Sequence, residues 1–173
     1  MIASRPDKLT NAHTILFEID MLRFAARRLQ QGPFKSEKDL WAYLECFLLH
    51  FRNLIEFLGK EANVRPDDLH ITRPQDFMES GYSSAERNTL NELHEQSKAV
   101  WREYESREDS ISKYLHHCTV QRTVGKKWPV GIMNNAVENL LVPLEQLLRK
   151  RPQSWEPERR VGLSRYASNS TIS

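Results

Sequence analysis

SEKDLWAYLECFLLHFRNLIEFLG, residues 36–59, decides the fold class. Leu40, Leu44, Phe47, Phe51, Leu54 and Leu58 recur at three- and four-residue steps, and Trp41, Leu48 and Ile55 widen the seam. A stripe of that width belongs to a helix that buries one broad face. Ser36 stands at the N-cap position with Asp39 three residues on, a capping box with a shortened acid, and Gly59 marks the end.

The same spacing appears on both sides of this stretch. Ile15, Leu16, Ile19, Leu22, Ala26 and Leu29 predict a helix from about Asn11 to Gln31, stopped by Gly32 and Pro33. From about Glu61 to Tyr82 the periodicity vanishes among Pro66, Pro74 and Gly81, leaving a long connection with a short helical turn expected near Pro66 to Leu69. Ser83 and Glu86 form a full capping box for a third helix carrying Leu90, Leu93, Val100, Trp101 and Tyr104. Asp109 or Ser110 caps a fourth segment with Ile111, Leu115 and Cys118, ending before Gly125. After Pro129 a last helix holds Ile132, Met133, Ala136, Val137, Leu140, Leu141, Leu144, Leu147 and Leu148, with a kink or break expected at Pro143, whose ring removes a ladder bond.

These elements predict an all-α, up-and-down bundle of four to five helices over residues 1–151, followed by a flexible tail over 152–173. With 173 residues the chain is long enough to build one core, since a domain near this size buries about 70% of its unfolded surface. No apolar run approaches the ~20 residues that a membrane helix needs. Met1 to Thr10 lacks the apolar stretch of a secretory leader, so Cys46 and Cys118 read as reduced thiols and the expected location is the cytoplasm. Net charge is +2, and the four Arg and two Glu from Arg151 onward account for all of it, so the body is near neutral. That balance argues against a binder of duplex DNA, which relies on a basic surplus.

Two polar groups interrupt the apolar helices. On the second helix, at 100° per residue, Cys46, His50, Asn53 and Phe57 fall within roughly 60° of one another. Glu45, Arg52 and Glu56 line a separate face, where the bland reading is a surface ladder worth about 0.3 to 0.5 kcal/mol per pair. The second group is Lys113, His116, His117, Thr119 and Arg122. Histidines exchange protons near neutrality, although paired histidines on a helix are more often packing or solvated groups. Cys46 and His50 at i, i+4 would suit a zinc site completed by His117 and Cys118, but those two point ~100° apart, so no metal or other cofactor is expected. Glycine-rich phosphate loops and nucleophile elbows are missing.

The segments His50-Phe-Arg52-Asn53-Leu54-Ile55-Glu56-Phe57-Leu58, Asp67-Asp68, Asp76-Phe77, Lys113 through Arg122 and Lys127-Trp128 resemble a widespread family of uncharacterised bacterial helical proteins. In layout the chain is also similar to the HEPN superfamily, helical bundles that include toxin ribonucleases and abortive-infection proteins. The resemblance implies a helical binding module, or a metal-independent ribonuclease where the catalytic Arg, four to six residues, His pattern is kept. Here the helical order is reversed, His117 before Arg122, and the forward match Arg65 to His70 falls in the connection beside Pro66.

The reading that results joins His50, Arg52, Asn53 and Glu56 with Lys113, His117, Thr119 and Arg122 into one polar constellation, because buried polar groups need partners. Its expected ligand is a small anion, a nucleotide, RNA or a protein partner, with a homodimer through the Leu-rich last helix as a further possibility. The alternatives are a network that only sets bundle packing, and the ribonuclease.

Overall fold

A computed structural model describes residues 8–78, 82–105, 110–116 and 127–150. They form five helices, α1 (Lys8–Gln31), α2 (Glu37–Gly59), α3 (Ser84–Tyr104), α4 (Ile111–His116) and α5 (Val130–Arg149), and a single 3-10 turn at Pro74–Asp76, with no strand among the described residues. α1 packs on α2, α2 on α3, α3 on α5 and α5 back on α1, while α4 lies against α2. The chain is therefore all-helical, and α2 is its centre.

That centrality follows from composition. Phe47, Leu48, Phe51, Ile55 and Leu58 of α2 are fully buried, as are Ile19 and Leu22 of α1 and Val137, Leu141 and Leu144 of α5. Each side chain of this size stabilises by about 1.5 to 3 kcal/mol when removed from water. The expected seam starts later than the spacing suggests, since Leu40 is 37% exposed at the open end of α2.

Of the two expected capping boxes, the one at α3 forms in full and the one at α2 through its Ser36 half. The Ser36 hydroxyl accepts from the Asp39 N–H at 3.2 Å, and Gly32, at φ +23°, takes the left-handed turn that closes α1. At α3 the Ser83 hydroxyl accepts from the Glu86 N–H at 3.2 Å while Glu86 returns a bond to the Ser83 N–H at 2.7 Å. Ser83→Ala is expected to lower the unfolding free energy by about 1 kcal/mol; an unchanged urea midpoint would mean that the box contributes nothing here.

Three expectations are corrected. Pro143 does not split the last helix, because buried Leu140, Leu141, Leu144, Leu147 and Leu148 anchor it on both sides of the ring. Ile132 is not core but 68% exposed, in the first turn of the helix. The short helical turn of the connection falls at Pro74–Asp76 rather than near Pro66, which sits in a simple turn. The predicted tail and the continuation of α4 toward Gly125 lie outside the described residues.

Candidate functional site

The last turn of a helix leaves carbonyls without intrahelical donors. At the end of α2 these are met by groups from elsewhere in the chain. Ile71 N–H donates to Phe57 O at 3.0 Å, His94 Nδ1 of α3 donates to Leu58 O at 2.7 Å, and His70 Nε2 donates to Lys60 O at 2.9 Å. Because a carbonyl only accepts, these contacts assign the ring protons. His70 Nδ1 then accepts from the Thr72 hydroxyl at 2.8 Å. The two imidazoles meet edge to face, with centroids 5.3 Å apart. Burial pushes the His70 pKa down; its bond to the Lys60 carbonyl opposes that, and the positive charges of His94, Arg73 and Lys60 add to it.

These bonds fold the connection back over α2, and a cleft of about 240 Å³ remains between it, α1 and α2. Thr14, Ile15 and Glu18 of α1, Asn53, Leu54, Glu56 and Phe57 of α2, and Asp68 and Leu69 of the connection line it.

One wall is set by Glu18. His50 Nδ1 donates to Glu18 Oε2 at 2.7 Å, and Asn53 Nδ2 donates to the same oxygen at 3.1 Å. His50 is only 7% exposed, and the Phe17 ring stands edge-on to it at 5.9 Å. Burial alone would depress the His50 pKa, but hydrogen bonding to Cys46 and Glu18 and the charge of Glu18 reverse this and carry it up to about 9. A ring charged at neutral pH is an electrostatic anchor rather than a general base.

The other wall rests on Glu56. Arg52 Nη2 donates to Glu56 Oε2 at 2.8 Å, and Lys60 Nζ donates to Glu56 Oε1 at 2.5 Å and stands 3.7 Å from Asp68 Oδ2. Arg52 Nε donates to the Ser112 hydroxyl at 2.6 Å, and Ser112 in turn donates through N–H and Oγ–H to Glu105 at 2.9 and 2.6 Å. Burial raises the Glu105 pKa against the opposing pull of Ser112 and Arg52.

Of the residues singled out in the sequence, the structure brings Asn53 and Glu56 into one cleft, with His50 behind Asn53 and Arg52 behind Glu56. His50 and Asn53 turn toward α1, Arg52 toward α4, so the two faces read on α2 serve different neighbours. The segment bearing Lys113 does meet α2, but through Ser112; the Lys113 backbone N–H donates to the Ser110 hydroxyl at 3.2 Å. His117, Thr119 and Arg122 lie outside the described residues. Among the described residues no group of three His, Cys, Asp or Glu could hold a metal ion.

Sequence reasoning missed Glu18, Lys60, Asp68, Glu105 and Ser112. Glu18 had a signal: it lies three residues after Ile15 and four before Leu22, inside the core stripe of α1, where a carboxylate requires a partner. Compared with known proteins, the chain matches no family model, no curated protein and no solved structure at a significant level. No helix among the described residues is long and apolar enough to cross a membrane.

Proposed function

We propose that this chain is a HEPN-like, cytoplasmic ligand-binding module whose cleft between α1, α2 and the following connection takes a small molecule. The observation that carries the reading is the construction of the lining. Glu18 is held by His50 and Asn53 and Glu56 by Arg52 and Lys60, so acceptors are fixed before any ligand arrives. Ile15, Leu54, Phe57 and Leu69 supply an apolar surface beside them. Few polar groups placed on an apolar floor, with positions set in advance, is the usual build of a small-molecule site. The opening has a volume of about 240 Å³. It lies below the ~300 Å³ at which pockets for drug-sized ligands begin, which favours a metabolite smaller than a nucleotide.

A fragment screen by thermal melting tests this, with Thr14→Phe as the blocking variant, since Thr14 lines the cleft from an exposed position. A ligand at a hundred times its Kd adds about 2.7 kcal/mol, or roughly 5 to 10 °C in Tm. The expected result is such a rise in the native chain and none in Thr14→Phe at equal starting Tm. Rises that survive the variant would place binding elsewhere and end the proposal.

A second reading, that the polar groups only fix packing, is favoured by one observation: Arg52, Glu56 and Lys60 satisfy one another within the fold. It expects no ligand at all and a loss of about 1 kcal/mol on Asn53→Ala. The ribonuclease alternative rests on His117 and Arg122, which lie outside the described residues.

A further inference from the structure

We infer that the cleft recognises a small organic cation, a primary ammonium or guanidinium group carried on a short apolar body. This rests on the binding reading above and departs from the anionic ligand suggested by the sequence. The charged groups that line the opening are three carboxylates, Glu18, Glu56 and Asp68. The cations paired with them, His50, Arg52 and Lys60, are not among the lining residues. A ligand entering the cleft therefore meets acceptors.

The unused lone pairs have the same character. Glu18 Oε2 takes both His50 and Asn53, and Oε1 accepts nothing from the described residues. Asn53 gives one amide N–H to Glu18 and keeps its second N–H and Oδ1, so it can serve a ligand as donor or acceptor. Asp68 Oδ2 accepts from the Arg65 N–H at 2.9 Å, and Oδ1 accepts nothing from the described residues. A phosphate or carboxylate needs donors and would face like charge at close range, whereas an ammonium or guanidinium carries only donors and can bind the carboxylate oxygens left open.

A bare divalent ion fits less well, because no three of these acids converge as ligands among the described residues. The remaining lining is Thr14 and the apolar Ile15, Leu54, Phe57 and Leu69, which suits the body of an amphipathic amine.

Three probes of one shape and different charge separate the outcomes: phenethylamine, 2-phenylethanol and phenylacetate, titrated into the full chain and followed by backbone amide shifts in NMR. The amine is expected to bind at least ten times more tightly than the alcohol, with shifts at Glu18, Asn53 and Leu69, and phenylacetate to bind most weakly. Glu18→Gln is expected to bring the amine down to the alcohol's affinity. Should Glu18→Gln fail to fold, Asp68→Asn supplies the same comparison from the exposed connection. Equal binding of amine and alcohol, or preference for phenylacetate, overturns the inference and leaves the cleft as a binding site. Binding of none of the three, together with a fragment screen that yields nothing blocked by Thr14→Phe, overturns both.

Discussion

Between pH 6.5 and 9 the unfolding free energy is expected to fall by about 3 kcal/mol through His50. The proton on this ring is bound more tightly in the folded chain, where its pKa is about 9, than in the unfolded chain at 6.5. Each tenfold difference in proton affinity is about 1.4 kcal/mol, which makes the whole contribution about 3 kcal/mol. Its sign follows from which state holds the proton. Below pH 6.5 both states are protonated and the Glu18 pairing contributes fully; as the pH rises toward 9 only the folded chain is still charged, and the contribution drains away. His50 is nearly buried, so solvent screening removes little of it.

His70 acts with the opposite sign. Its folded pKa is depressed, so the unfolded chain takes up the proton first and stability falls as the pH drops below 6.5. Stability should therefore pass through a maximum near pH 6.5 and decline on both sides. Urea unfolding across the range measures this, and Glu18→Gln, which keeps a hydrogen-bond acceptor and loses the charge, should make the alkaline decline shallower, with the part due to the Cys46 hydrogen bond remaining. A slope that is the same in Glu18→Gln would show that the carboxylate does not hold the proton.

Gly59→Ala is expected to destabilise by about 1 kcal/mol, a fall of roughly 2 to 4 °C in Tm for a domain of this size. An added Cβ at this position would lie 2.6 Å from Ser97 O and 2.8 Å from Ser97 C, with Trp101 Cβ at 3.0 Å. The first two are backbone atoms of α3, so no side chain can swing aside and the helices must separate. Overpacking of this kind costs about 1 to 3 kcal/mol, and α2 to α3 separation also pulls His94 from Leu58 O. Against it stands the gain from replacing glycine in a helix, about 0.5 to 1 kcal/mol. Gly131→Ala is the control: its Cβ meets nothing within 4 Å, so the propensity gain stands alone and the variant should be neutral or slightly more stable. If the two alanine variants melt alike, the close approach of α2 and α3 at Gly59 is wrong.

The helices were readable because their signals are local. Ser36 with Asp39 and Ser83 with Glu86 mark helix starts whatever lies across the bundle, and the apolar spacing of α2 survives with one end trimmed at Leu40. Ile132 misled because periodicity says which residues share a face and not how far along the helix the neighbours extend. Of the two outcomes expected at Pro143 the break does not occur, for a related reason: the cost of one ladder bond is set by the ring, but flanking buried leucines outweigh it.

The site divides the same way. From its residues alone the chain determines an all-helical bundle, the caps, and the placement of His50 and Asn53 on one face of α2 with Arg52 and Glu56 on another, since each depends on neighbours within a few positions. Only the tertiary structure decided that Glu18 meets His50 and Asn53, that Ser112 meets Arg52, and that three carboxylates line the cleft without their cations. Such pairings cross 32 to 60 residues of sequence. They are set by the rotation and register of one packed helix against another, which no periodicity within a single helix encodes.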